Sequence, residues 1–283
     1  MSAGGRWHVT RDVEEFRREA RPYLDADPAG CTLLLTVGET VRRYGPRAYG
    51  DEDAWFGWWR RTPGGPVEAG FVRTPPHHPL LGPMPDEAAR QLARILDGIH
   101  GVRGGDGPAL AFAAARTGDR TDGWSVVRRT RLFRLGDLTP PHPAPPGASR
   151  LATAADVPPA AAWMSAFAAA IGEDPAVDHT ANVARRVEQG GLHLWEDGGR
   201  PVSMAAHSPL VAGQVRVSPV YTPPELRGRG YAGAVTATVS RAARDAGARQ
   251  VLLFADVANP TSTALYQRLG YRPVADHVDV AFT

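Results

Sequence analysis

The chain's 283 residues, 43% hydrophobic and 22% charged, are enough for a sizeable core and suit two domains of about 140 residues. No stretch approaches the roughly 18 uninterrupted apolar residues of a membrane span, the start MSAGGRWHVTRDVEEFRREA has no leader-like apolar core, and the single cysteine, Cys31, excludes an internal disulfide. The net charge is +2, with 32 basic residues (all arginine) interspersed among 30 acids, which excludes a polybasic nucleic-acid arm and points to a cytoplasmic protein from a high-GC bacterial genome.

The first half opens with two predicted helices, Asp12–Tyr23 and about Cys31–Tyr44. Strands follow at Trp55–Arg60 and Val67–Arg73, then the segment His77–Met84, a helix over Asp86–Leu96, a mixed segment to Ala115 and a strand at Ser125–Leu135. The cluster Trp55-Phe56-Gly57-Trp58-Trp59 reads as core, or as lining of a substrate cleft. His77 and His78 are neighbours on an extended segment and point to opposite faces, a poor metal pair.

Five prolines in the nine residues Thr139–Gly147 cannot continue a helix or a central strand. They read as a semi-rigid spacer. The expected division is therefore a domain at 1–138, a linker at 139–148 and a second domain at 149–283.

In the second half a strand near Arg150–Ala152 leads to Asp156, a cap for a helix through about Ala170, and a second helix fits Asp178–Glu188. Leu192–Glu196 and Pro201–His207 form a hairpin across Asp197-Gly198-Gly199. Gln214–Thr222 is a strand, and Gly230–Asp245 a long helix. Val251–Ala255 is an apolar run suited to a strand buried on both faces, Thr261–Leu269 a helix stopped by Gly270, and Val274–Phe282 a closing strand. Each half is thus α/β, a mixed sheet flanked by helices, and the similar order suggests an internal repeat.

One stretch carries chemistry: Val220-Tyr-Thr-Pro-Pro-Glu-Leu-Arg-Gly-Arg-Gly-Tyr-Ala232. It runs from a strand through a turn into a helix, where the first backbone N–H groups lack internal partners and the helix dipole is positive. Gly228 and Gly230 let an anion approach the backbone, and Arg227 and Arg229 add charge. The plainer reading is a strand-to-helix turn with surface arginines. Pro219 gives its strand no N–H there, so an edge or bulge is expected, which would leave the Val220–Thr222 backbone for a ligand. Some thirty residues on, Asn259-Pro260 starts a helix with Ser262 in its first turn and Tyr266 one turn later on the same face.

Together these motifs resemble the GNAT superfamily of acetyl-CoA-dependent N-acyltransferases. Its phosphate loop is matched by Arg227, Gly230 and Ala232, and its later motif by Asn259, Pro260, Ser262, Leu265, Tyr266, Gly270 and Tyr271. The resemblance implies two GNAT-like domains with a splayed strand pair in the second. It implies acetyl-CoA as cosubstrate, with no metal. Val220, Tyr221 and Thr222 would contact the pantetheine and acetyl group, Arg227, Gly228, Arg229, Gly230, Tyr231 and Ala232 the pyrophosphate, and Asn259, Ser262 and Tyr266 the cofactor arm. Tyr266 would protonate the departing thiolate, unless it is a core tyrosine. A phenol near pKa 10 can hydrogen-bond a thiolate near 8.5 without itself being ionised. The family's frequent base position, about eleven residues before the loop, holds Arg216, which cannot accept a proton. The alternatives are Glu173, Asp174, His193, Glu196 and His207, or a water chain.

The equivalent first-half turn, Gly82-Pro-Met-Pro-Asp86, loses two donors to Pro83 and Pro85, so that half reads as a degenerate domain without a cofactor site. The expected protein is an N-acetyltransferase, a monomer or homodimer, acting on an amine by direct attack in a ternary complex. The rivals are a non-catalytic acyl-CoA-binding regulator and an acyltransferase with a larger donor. No membrane or nucleic-acid partner is expected.

Overall fold

The computed structural model describes residues 5–118, 120 and 122–283, which form two compact units. The described residues within 1–132, together with 256–258 and 274–283, make the first, and 133–255 and 259–273 the second. The domain expected at 1–138 includes Met1–Gly4, Asp119 and Thr121, which lie outside the described residues.

The first unit contains β1 (Arg6–Thr10), α1 (Val13–Glu19), α2 (Arg21–Ala26), α3 (Thr32–Tyr44), β2 (Trp55–Arg60) and β3 (Val67–Arg73). It continues with β4 (Leu80–Leu81), α4 (Asp86–Leu92), β5 (Gly101–Gly105), α5 (Asp106–Arg116) and most of β6 (Trp124–Leu135). The first expected helix is two, separated at Ala20, because Pro22 has no N–H to carry the ladder into the second. Asp12 caps α1 by accepting from the Glu14 and Glu15 N–H groups. Strands run in the order β1-β2-β3-β4-β5, antiparallel except for the β4–β5 pair. The tryptophan cluster is mainly core: Phe56, Trp58 and Trp59 are buried, and Trp59 Nε1 donates to Gln91 at 2.9 Å.

The second unit contains β7 (Ala148–Leu151), α6 (Val157–Ala170), α7 (Thr180–Glu188), β8 (Leu192–Asp197), β9 (Arg200–His207) and β10 (Gln214–Tyr221). Then come α8 (Tyr231–Asp245), β11 (Gln250–Asp256), α9 (Pro260–Arg268) and the start of β12 (Tyr271–Phe282). The order β7-β8-β9-β10-β11 repeats the first unit's scheme, antiparallel neighbours ending in the parallel pair β10–β11. Val235, Val239 and Ala243 of α8 face Val215, Val217, Val251 and Leu253, forming the core on one side of this sheet. Each buried valine there contributes about 1.5–3 kcal/mol.

Two features depart from the expected division. Residues from Val274 onward belong to the first unit, where β12 pairs antiparallel with β5 from His277↔Gly105 to Ala281↔Gly101. Thr139–Gly147 belongs to the second unit and runs, mostly exposed, along its surface. The Thr139 N–H donates to the Leu269 carbonyl at 3.0 Å, and Trp195 Nε1 to the Pro146 carbonyl at 2.9 Å. Proline density excludes helix and ladder but says nothing about what an extended segment packs on.

Candidate active site

The site is built where β10 breaks. Val217 pairs with His207, but Val220 pairs with Ala205, so one extra residue enters β10 between them. This is the bulge expected at Pro219. On the other side, β10 pairs with β11 only from Gln214↔Gln250 to Val217↔Leu253. Beyond Val217 the parallel ladder stops, and the two strands part.

The parted strand leads through Pro223–Leu226 into the turn Arg227–Gly230. Gly228 and Gly230 have φ of +78° and +86°, a region L side chains rarely adopt, so both positions require glycine. Gly230 is the N-cap of α8 and brings no side chain to cap the first-turn N–H groups. A side chain at Gly228 would meet nothing within 4 Å, while a Cβ at Gly230 would come to 3.5 Å from Pro145. The turn is exposed on one side and backed by the proline segment on the other. These residues fit a phosphate group.

The arginines divide their work. Arg227 Nε donates to the Thr222 carbonyl at 3.0 Å, tying the turn to the end of β10, while Arg229 is exposed beside it. The Tyr231 side chain is buried and donates to Asp197 Oδ2 at 2.5 Å, so only its backbone belongs to the turn. Thr222 and Ser203 share a hydroxyl hydrogen bond of 2.8 Å, and Ser203 Oγ lies 3.0 Å from the Tyr221 carbonyl it donates to. The Tyr221 and Thr222 carbonyls, at positions expected to contact the cofactor arm, therefore each already accept one hydrogen bond within the chain. The Tyr221 ring lies 6.1 Å from Trp163 of α6.

Asn259 caps α9. Its Oδ1 accepts the Ser262 N–H at 3.0 Å, and Ser262 Oγ donates back to the Asn259 carbonyl at 3.0 Å. The motif thus fixes the entry angle of the helix that carries Tyr266. The Tyr266 ring is 8% exposed, lies edge-on to Tyr271 at 6.1 Å, and burial pushes its phenol up to about 12.

Of the base candidates, the structure brings two together. His193 on β8 and His207 at the end of β9 have ring centroids 6.2 Å apart, and His207 is opposite Val217, the last paired residue before the bulge. Burial pulls His193 down to about 4, helped by His207. His207 is also pulled down, by burial first and by Arg186, against a raising hydrogen bond to the Ser208 carbonyl. That contact is 2.7 Å from Nδ1, and a carbonyl only accepts, so Nδ1 carries the proton and Nε2 is the free acceptor. Glu173 and Asp174 are exposed in the α6–α7 loop, where Asp174 caps the Ala176 N–H. Glu196 pairs with Arg150 at 2.8 Å.

Residues 160–271 match the model of the acetyltransferase (GNAT) family. The chain carries a GNAT acetyltransferase domain. The protein is accordingly an acyltransferase, and the bulge, turn and Tyr266 all lie within the matched GNAT segment. Similar solved structures extend the likeness in fold to nearly the whole chain. A GNAT-family acetyltransferase from Colwellia psychrerythraea is 12% identical with a TM-score of 0.61, covering 98% of both chains. A Drosophila protein is 12% identical with a TM-score of 0.68, also covering 98% of both. A GCN5-related N-acetyltransferase from Sphaerobacter thermophilus is 16% identical with a TM-score of 0.58, covering 97% of this chain and 94% of that one. No curated protein matches the sequence. Among the described residues no helix is long and apolar enough to cross a membrane, and no group of three His, Cys, Asp or Glu side chains could hold a metal ion.

Sequence reasoning missed Arg186 of α7, whose Nη1 donates to the Ser218 carbonyl inside the bulge at 2.7 Å. Nothing local marks it, because its partner lies 32 residues away on another element.

Proposed function

We propose that this chain transfers an acetyl group from acetyl-CoA to a primary amine of a small molecule or peptide, by direct attack in a ternary complex. The observation that carries the reading is the strand pair that parts after Val217 and leads into an exposed glycine turn at a helix start. The gap suits a linear arm lying alongside β10, and the turn suits the pyrophosphate at its end. Bound there, the thioester supplies an activated acyl carbon and a thiolate leaving group.

The chain's own groups then have separable tasks. The turn N–H groups and Arg229 bind and orient. His207 Nε2 accepts the proton that the attacking nitrogen sheds once its bond to the acyl carbon begins to form. A lowered imidazole pKa keeps that acceptor free at neutral pH. We assign the base to His207 rather than Glu173, since His207 lies beside the bulge and Glu173 in an exposed loop. Tyr266, with its phenol raised to about 12, donates a hydrogen bond to the developing thiolate and retains its proton.

The test is release of free thiol from acetyl-CoA across arylalkylamines, polyamines, aminoglycosides and peptides, beside calorimetry of acetyl-CoA alone. Binding together with release by some amine supports the assignment. Arg216 in place of an acid favours a second reading, an acyl-CoA-binding regulator, and binding with no release from any acceptor would support that one.

A further inference from the structure

The bulge that parts the sheet is held from outside it. A bulge strips backbone groups of their ladder partners, and a buried carbonyl without a partner is unfavourable. The Ser218 carbonyl has one: Arg186 Nη1 at 2.7 Å, from the last turn of α7. The same guanidinium is fixed at a second point, because Nε donates to Asn182 Oδ1, one turn earlier on the helix, at 2.8 Å. A planar guanidinium can serve both acceptors in one rigid orientation, which an ammonium on a flexible stem does not reproduce. Release of Ser218 would let this segment relax toward the β11 ladder and narrow the gap.

The carbonyl that Arg186 holds belongs to Ser218, next to Val217, the residue opposite His207, so the cation sits at the His207 end of the bulge and its charge helps to lower the ring's pKa. The groups that bear on that ring are Arg186 from α7 and His193 from β8, with the Ser208 carbonyl on Nδ1. Val217 shares the His207 face of the sheet, so the adjacent Arg216 of β10 is directed to the other face. A fixed positive charge near an imidazole disfavours a second one on the ring.

We propose that Arg186 is a positioning residue for acyl transfer, pinning the bulge of β10 through the Ser218 carbonyl and setting the field around the His207 ring. This rests on the acyl-transfer reading above, in which the gap takes the acyl-CoA arm and His207 takes the proton.

The experiment uses full-length protein, Arg186→Leu and Arg186→Lys, with His207→Gln to assign the ring signals. Imidazole nitrogen NMR follows the titration of His207, and calorimetry follows binding of acetyl-CoA. In Arg186→Leu the His207 titration should move upward, and acetyl-CoA should bind about tenfold more weakly. In Arg186→Lys the titration should stay near that of the wild type, because the charge remains, while affinity still falls. An unchanged His207 titration in the Leu variant overturns the field. Unchanged affinity in both variants overturns the pinning. If Arg186→Leu does not fold, Asn182→Ala, which frees the guanidinium without removing it, decides the pinning by the same affinity measurement, and Arg186→Gln, which removes the charge but keeps a hydrogen-bonding side chain, decides the field: an upward His207 titration supports it and an unchanged one overturns it. Failure of the wild type to bind acetyl-CoA would instead sink the acyl-transfer reading, while a wild type that binds and variants that do not differ from it would sink only the role of Arg186.

Discussion

Each unit has a strand-to-helix turn after the strand that begins its parallel pair, and the two turns are opposites. In the second unit the turn holds Gly228 and Gly230 at positive φ, lies exposed, and opens α8 with no side-chain cap. In the first unit the turn Gly82–Pro85 is filled. Tyr23 of α2 donates to the Pro83 carbonyl at 2.7 Å, its hydroxyl and Leu34 crowd the space beside Gly82, and Pro85 stands at the N-cap of the seven-residue α4. Tyr23 is itself half-buried, with its phenol pushed well up by desolvation first and by the neighbouring Cys31 and Asp27. One topology therefore yields an exposed glycine turn at a helix start in one place and a plugged, donor-poor corner in the other. What differs is the local chemistry of a few residues, and the order of strands does not reveal it.

The largest effect expected from this contrast is in stoichiometry. Calorimetric titration of the intact chain with acetyl-CoA should give about one site, because only the second turn offers free amides at a helix start. Two equivalent sites would erase the distinction between the units. Next in size is Tyr266→Phe, which should lower turnover by about 10²-fold or more while leaving acetyl-CoA affinity nearly unchanged. A variant with full turnover would return Tyr266 to the role of a core ring. Gly230→Val forces a branched side chain into φ +86° beside Pro145. Affinity for acetyl-CoA should weaken by about tenfold or more, roughly 1.4 kcal/mol, with circular dichroism unchanged. Equal affinity would make the turn merely structural.

The pH dependence sharpens the same site. His207 is held below the ordinary imidazole value, so the base form is present at neutral pH and is lost only as pH falls through the lowered value. The acid limb of turnover should therefore lie below about 6.5. A limb above that value would mean that another group, or a chain of waters, takes the proton.

How much of this was legible depended on how local its cause was. Pro219 announced a bulge because a missing N–H acts on its own strand, and Gly228 and Gly230 announced a turn because positive φ is a single-residue property. Asn259, Pro260 and Ser262 read as a helix start for the same reason. The two prolines near Gly82 showed which donors are missing, but not that Tyr23, some sixty residues earlier, fills the corner. Arg186 was equally silent, since an arginine at the end of a helix has many innocent uses. The proline segment read as a spacer because its composition reports what it cannot form. Its packing against α8 is closest at Gly233, where a Cβ would come to 3.2 Å from Pro141, tighter than an ordinary contact. The last strand looked like the end of the second half, and only its register with β5 assigns it to the first unit.

The smallest expected effect tests whether the first turn is closed by its plug or by its own chemistry. Tyr23→Phe removes one hydroxyl and leaves the Pro83 carbonyl short of a partner, which should cost about 1 kcal/mol and lower the melting temperature by about 2–4 °C. Tyr23→Ala opens a larger space beside Gly82 at a larger cost in stability. Neither change restores a donor. Pro83 and Pro85 still lack N–H groups, and Asp86 and Glu87 place two carboxylates in the first turn of α4, where a phosphate would otherwise gain from the helix start. Acetyl-CoA titration of the Tyr23→Ala protein should therefore still give about one site, with unchanged affinity at the second turn. A second site appearing in that variant would show that the plug alone closes the corner, and that the first unit lost its cradle by filling it rather than by losing its donors.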